Sequence, residues 1–209
     1  ERYIPPNAQK TKFGLITKLC YNDAMNQLKD YVKITSPISK LLCEDVLKEL
    51  ETYNWIEHQF FNYQGNIGTQ VQKKACQSSY DNFKHAQELM TVIYNAIHNY
   101  IKILNDPYFN TWNGYTSLKF NKYKEGALME KHVDHINSIF DGTVKGIPTL
   151  SIIGLLNDDF EGGEIEMFED TKIKLKAGEV LIFPSNFLYP HMVCPVTKGT
   201  RNSFVSWVY

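Results

Sequence analysis

Arginine is almost missing from this chain of 209 residues: only Arg2 and Arg201 occur among 22 basic side chains. Charge of either sign in excess is missing too. With 23 acidic residues the formal net charge is -1, so the whole-chain field does not gather nucleic acid or anionic membrane by itself. The cysteines Cys20, Cys43, Cys76 and Cys194 include no CxxC pair, which excludes a zinc ribbon and a thioredoxin-like motif and reads as reduced thiols. No apolar run approaches the roughly 18 to 20 residues of a membrane helix. The longest candidate is Leu150 to Leu156, and no secretory signal is present, so the expected location is the cytoplasm. The first residue is Glu1 rather than Met, which leaves a removed leader open. With 12 Gly and 8 Pro the chain is no low-complexity or collagen-like sequence. What it has is aromatic content: 13 Tyr and 12 Phe suit strands and an aromatic-walled pocket alike.

The order of residues points to an α+β architecture, with a helical first hundred residues and a strand-rich last hundred. Ser36 and Pro37 read as a cap and first turn, followed by Ile38, Leu41, Leu42, Val46, Leu47 and Leu50 at helical steps to about Tyr53. Phe83, Ala86, Met90, Ile93, Ile97, Tyr100 and Leu104 form a second stripe, stopped by Asn105, Asp106 and Pro107. That stripe reads as core packing, with a dimer seam as the lesser alternative. Gln64 to Asn82 is polar and reads as a surface loop. From Tyr115 onward, short apolar segments alternate with turn signals, the pattern of a β-sandwich or barrel. The expected strands are 115–123, 128–135, 149–157, 164–168, 172–175, 180–184, 191–196 and 203–208.

The sharpest motif is His132-Val133-Asp134. Alternate strand residues share a face, so one imidazole and one carboxylate would stand side by side. These are two ligands of the 2-His-1-carboxylate triad that holds non-haem iron(II) with open positions. Taken alone, an HxD triplet is more often an exposed strand pair. His58, His85 and His98 belong to the helical half and His135 faces away from the pair, which leaves His191 as the downstream histidine. Ten residues later Arg201 opens an apolar strand, where a planar guanidinium can hold a carboxylate through two parallel hydrogen bonds. Ser203 shares its strand face.

His132-Val133-Asp134, then Gly162-Gly163-Glu164, then Lys176 to Pro184, then His191 and Arg201, in that order, resemble the iron(II)/2-oxoglutarate-dependent dioxygenases, most closely the prolyl 4-hydroxylase-like group. The resemblance spans Tyr115 to Val208. It implies a double-stranded β-helix (jelly-roll) barrel buttressed by N-terminal helices: a single domain over 1–209, with helical support at 1–110 and the catalytic jelly-roll at 111–209. It implies iron ligands His132, Asp134 and His191, and 2-oxoglutarate bound by Arg201 with Tyr123 and, by analogy with other branches, Ser203. Collagen-type members use lysine where this chain has Arg201. The implied cofactors are Fe(2+), 2-oxoglutarate and O2, with ascorbate as the candidate reductant. The implied reaction is hydroxylation of an unactivated C-H bond, in a prolyl or similar residue of a peptide or protein, with release of succinate and CO2.

Other readings stay open at this point. Tyr123 reads equally as a core tyrosine, and Ser203 as a mere strand hydroxyl. Cys194 reads as a small buried hydrophobe. Leu150, Ile152 and Val205 are candidates for an aliphatic floor beneath Arg201, and Trp112, Tyr115 and Trp207 for either a substrate cleft or core. A cupin-like metal-binding barrel without 2-oxoglutarate is one alternative function. A nucleic-acid-directed oxygenase is another, weakened because Trp207 stands where those enzymes usually carry a second arginine. Asn137 to Gly146, with Gly142 and Gly146 as hinges, is the candidate lid. The expected partners are a peptide, protein or small-molecule substrate, with neither nucleic acid nor membrane.

Overall fold

The computed structural model describes residues 27–58, 75–79, 84–105, 109, 112–134, 148–168 and 171–209. The elements below all lie in one compact unit, Tyr31–Tyr209; Glu1–Asp30 forms a separate one.

Helix α1 covers Lys40–Leu50 and α2 covers Ala86–Leu104. The strands are β1 (Lys33–Thr35), β2 (Ile56–Glu57), β3 (Gln77–Ser79), β4 (Lys119–Tyr123), β5 (Met129–His132), β6 (Leu150–Leu155) and β7 (Glu161–Gly162). Then follow β8 (Ile165–Met167), β9 (Thr171–Ile173), β10 (Val180–Pro184), β11 (His191–Val193), β12 (Val196–Lys198) and β13 (Arg201–Val208). A seven-stranded sheet runs β1-β10-β6-β13-β4-β3-β2, and a four-stranded one runs β5-β11-β8-β9. A two-stranded pair, β12-β7, completes the antiparallel set. This is the double-stranded β-helix: major and minor sheets face each other, and helices cover the major sheet from outside.

Strand alternation explains that layering. On the outer face of the major sheet, Phe120, Leu150, Ile152, Val180, Ile182, Phe204 and Val208 pack with Leu42, Val46 and Leu50 of α1 and Leu89, Ile93, Ile97 and Tyr100 of α2. The α2 stripe is therefore core. Leu150 and Ile152 face these helices, so they are not the floor beneath Arg201; the inner-face positions of β6 are Ser151, Ile153 and Leu155. Trp112 and Tyr115 also pack against the helical side, where the Tyr115 hydroxyl donates to Met90 O at 2.8 Å. They are core rather than cleft.

Several boundaries differ from expectation for local reasons. Helix α1 is capped by Ser39, whose Oγ accepts from Leu42 N–H at 3.2 Å, and not by Ser36-Pro37. A side-chain oxygen three residues upstream satisfies an N–H that has no partner inside the helix, and Ser39 rather than Ser36 stands at that offset. Leu41, counted in the stripe, is 68 % exposed. Asn105 ends α2 in the left-handed conformation, φ 48°, as the stop signal predicted. Glu49, near the end of α1, accepts from the Lys84 backbone N–H and lies 2.9 Å from His85 Nδ1, tying α1 to the start of α2.

The largest correction concerns the first 110 residues, which supply β1, β2 and β3 to the major sheet as well as helices. Within Gln64 to Asn82, Gln77–Ser79 pairs with β4, and Cys76, Ser78 and Ser79 are buried. Such short polar strands carry no apolar alternation, because they receive their burial from the neighbouring strand. Residues 64–74 and 80–82 of that segment, with Asn137 to Gly146 and His135, lie outside the described residues.

Gly154 of β6 faces Phe204 so closely that a Cβ there would lie 2.0 Å from the ring. We expect Gly154→Ala to lower unfolding free energy in urea by about 1–3 kcal/mol. Phe204→Leu in the same chain should recover part of the loss, and exposed Leu41→Ala should change little.

Candidate metal centre

His132 closes β5 and His191 opens β11, and the two are directly paired across the minor sheet. Their rings lie 4.4 Å apart, centre to centre. Asp134 stands two residues beyond His132, past the end of the strand, where the chain bends. The strand expected to run to residue 135 stops early, and this turn carries the carboxylate between the imidazoles. Asp134 Oδ1 is 3.3 Å from His132 Nε2, and Oδ2 is 3.8 Å from His191 Nε2. One donor atom from each residue falls within 4.8 Å of the others. Among the described residues this is the one His/Cys/Asp/Glu group so placed.

The surroundings prepare each ligand. His132 Nδ1 sits 2.7 Å from Glu130 O, and His191 Nδ1 sits 3.1 Å from Tyr189 O. A carbonyl can only accept, so each ring carries a proton on Nδ1, which leaves Nε2 facing the centre as the ligand atom. Ser151 of β6 donates to Asp134 Oδ2 at 2.7 Å and meets Ser185 Oγ at 2.7 Å. Burial alone would raise the Asp134 pKa, yet the two imidazoles and the Ser151 hydroxyl hold it well below the usual carboxylate range. Burial pushes His191 down and keeps it neutral. In His132 the same burial effect is outweighed by the hydrogen bond and charge of Asp134, which raise its pKa. With iron(II) in place of the proton between His132 Nε2 and Asp134, two imidazole nitrogens and one hard oxygen fit an octahedral ion with open positions.

Arg201 opens β13 directly opposite Tyr123. It is 2 % exposed; Nη1 donates to Ser203 Oγ at 2.7 Å, and its Nε has no partner among the described residues. No carboxylate pairs with it among the described residues. A buried, desolvated guanidinium with an unmet donor is costly unless an anion arrives. The Tyr123 ring centre is 5.1 Å from the guanidinium carbon, and its hydroxyl lies near the Cys76 thiol. Burial holds that phenol well above its ordinary pKa, so it stays a neutral donor. Ser203 accepts from Arg201 and keeps its own O–H to donate. The pocket here is lined by Leu155, Phe160, Gly163, Ile165, Leu175 and Arg201. Gly163 matters within it: φ is +68°, and a Cβ would lie 2.9 Å from Arg201 Cδ.

Val205 and Trp207 share the inner face of β13 with Arg201 and Ser203. The Trp207 indole N–H is buried without a partner among the described residues. Four residues escaped sequence reasoning: Ser151, Ser185, His58 and Lys119. Ser151 had a weak signal, a lone hydroxyl inside Leu150-Ser151-Ile152-Ile153. Lys119 shares strand parity with Tyr123, which was a second.

Known proteins resemble the chain over this same region. Residues 118–209 match the 2OG-Fe(II) oxygenase superfamily. A PKHD-type hydroxylase of Paraburkholderia phytofirmans is 35 % identical over 95 residues, spanning 43 % of this chain and 40 % of the relative. One from Acinetobacter baumannii is 38 % identical over 96 residues, 43 % of this chain and 41 % of the relative. The chain thus covers about two fifths of the length of these relatives. Among solved structures, a prolyl hydroxylase from Trichoplax adhaerens, in complex with a hypoxia inducible factor oxygen degradation domain peptide fragment, superposes with TM-score 0.66 at 18 % identity, covering 93 % of this chain and 90 % of that one. A Pseudomonas putida prolyl-4-hydroxylase gives 0.61 at 17 %, covering 90 % and 97 %.

Replacing Ser151 by Ala removes the hydroxyl that orients Asp134. We expect iron(II) affinity, measured by anaerobic titration of the apoprotein, to fall about 10- to 100-fold with the fold unchanged by circular dichroism.

Proposed function

From a chain whose residues 118–209 match the 2OG-Fe(II) oxygenase superfamily, we propose an iron(II)- and 2-oxoglutarate-dependent dioxygenase that hydroxylates an unactivated C-H bond. Its substrate is a prolyl or similar residue in a peptide or protein. The observation that carries the reading is that one domain holds both a His-Asp-His cluster within 4.8 Å and, on the inner face of its major sheet, a buried guanidinium with an unmet N–H. A metal-binding cupin has no use for the second. The names of the relatives and of the superposed structures, hydroxylases in each case, point the same way. The domain is read as one unit in which the helices back the jelly-roll.

His132, Asp134 and His191 would hold iron(II), and Arg201, with Tyr123 and Ser203, the distal carboxylate of 2-oxoglutarate. When bound, the metal and the oxo acid would supply the reduction of O2, one oxygen atom entering succinate as the oxo acid loses CO2 and the other entering the substrate C-H bond. The chain's own part is placement. The carbonyls of Glu130 and Tyr189 fix both tautomers. The hydroxyl of Ser151 steadies Asp134, and Arg201 selects a diacid over a monoacid because its buried charge needs a partner. Phe183 packs edge-on against the His191 ring and Tyr189 packs against Phe183, so that this ligand is buried.

Among the described residues no helix is long and apolar enough to cross a membrane. A net charge of -1 gives no basic funnel for nucleic acid. With iron, ascorbate and 2-oxoglutarate, the wild-type chain should release succinate and add one oxygen to prolyl peptides, read by mass spectrometry. His132→Ala and Arg201→Ala should each abolish release; normal turnover in either variant refutes the reading.

A further inference from the structure

The pocket beside Arg201 is bounded by one residue that offers it no side chain. Gly163 links β7 to β8, is buried, and lines this cavity together with Arg201. A Cβ at this position would stand 2.9 Å from Arg201 Cδ, 3.1 Å from Phe160 Cε2 and 3.2 Å from Val196 Cγ2. The stem of the arginine therefore rests on bare backbone.

Which partner would yield to a side chain at position 163 follows from how each is held. The Gly163 N–H donates to Pro195 O at 3.1 Å, the Cys194 N–H donates to Glu164 O at 2.8 Å, and Gly162 pairs with Val196. These contacts pin residues 162–164 against residues 194–196. The backbone of Arg201 is fixed as well, by its pairing with Tyr123 across β13 and β4. Its side chain is tied less firmly: Nη1 donates to Ser203 Oγ at 2.7 Å, and Nε has no partner among the described residues. The stem is thus the part that moves.

Carbon atoms rest about 3.5–4.0 Å apart, so a methyl 2.9 Å from Cδ drives the stem back by roughly 0.6–1.1 Å. A shift of that size stretches the paired bonds of a guanidinium to a carboxylate, ordinarily about 2.7–2.9 Å, to the edge of hydrogen-bonding range. The metal ligands lie beyond its reach. Gly163 stands four residues before Met167, which pairs with His191, a separation of about 13 Å along an extended strand.

Resting on the oxygenase reading above, we propose that Gly163 is a positioning residue for the oxo acid. Its missing side chain lets the Arg201 stem lie where the guanidinium can take a distal carboxylate, and so position 163 sets the preference for a 2-oxo diacid over a 2-oxo monoacid of the same length.

Calorimetric titration of Mn(II)-loaded protein with 2-oxoglutarate and with 2-oxovalerate, the five-carbon acid without the distal carboxylate, tests it. The wild type should favour the diacid by about tenfold or more. Gly163→Ala should bring that preference within about threefold, with the affinities for 2-oxovalerate and for Mn(II) unchanged. Gly126→Ala is the control for backbone strain: φ there is +81°, against +68° at Gly163, but a Cβ meets nothing within 4 Å. It should keep the wild-type preference. Urea unfolding shows which variants fold, and Gly163→Ala combined with Phe160→Leu removes the ring beside the new methyl while leaving its approach to Arg201, so the preference is read in both. A diacid preference surviving in either folded variant overturns the proposal. So does an equal loss for both acids, the same loss in Gly126→Ala, or a failure of both Gly163 variants to fold, which assigns the glycine to the turn alone. Wild-type protein that binds neither acid, or both equally, overturns the oxygenase reading and this proposal with it, whereas a wild-type preference that Gly163→Ala leaves intact removes only the role of Gly163.

Discussion

A single buried carboxylate sets the terms for the rest of this molecule. Asp134 lies where solvation is lost, and an ionised carboxylate there survives only among groups that answer its charge. Three do: the His132 and His191 imidazoles from the minor sheet and the Ser151 hydroxyl from the major one. The carboxylate therefore ties the minor sheet to the major one. Its position depends on the register of β5 against β11, which places the histidines opposite each other, and on how closely the two sheets approach.

The major sheet is divided by the same demand. Its outer face is apolar and buries itself against α1 and α2. Its inner face is unusually polar for a closed interior, with Lys119, Asn121, Ser151, Arg201 and Ser203 all buried. Each such group costs desolvation, so their concentration on one wall marks it as a place for ligands rather than for packing. The helices make this affordable by supplying hydrophobic burial on the opposite side.

The ligand set was legible because its chemistry is local or ordered: HxD lies within three residues, His191 is the sole histidine after residue 135, and Arg201 is one of two arginines. Long apolar strands were legible for the same reason; Val180–Pro184 was predicted to the residue. What escaped reading depended on neighbours. Gln77–Ser79 has no apolar alternation and becomes a strand because β4 offers an unpaired edge. His58 sits in a segment that reads as helical, and only the β2–β3–β4 pairing brings it within 2.9 Å of Lys119. Leu150 and Ile152 looked like pocket floor because period-two alternation says which residues share a face but not which face looks inward.

The scarcity of arginine that first set Arg201 apart is a property of the chain, and so are the residue types of the ligand triad and the class of fold that their order implies. These follow from covalent order and side-chain chemistry. The tertiary structure decided which side of each strand is the interior, that Asp134 reaches its place from a bend and not from the strand, and that Gly163 lies against the stem of Arg201. Each of these rests on pairings between segments distant in the chain, whose free energy comes from burial and hydrogen bonds that exist only once the sheets have closed.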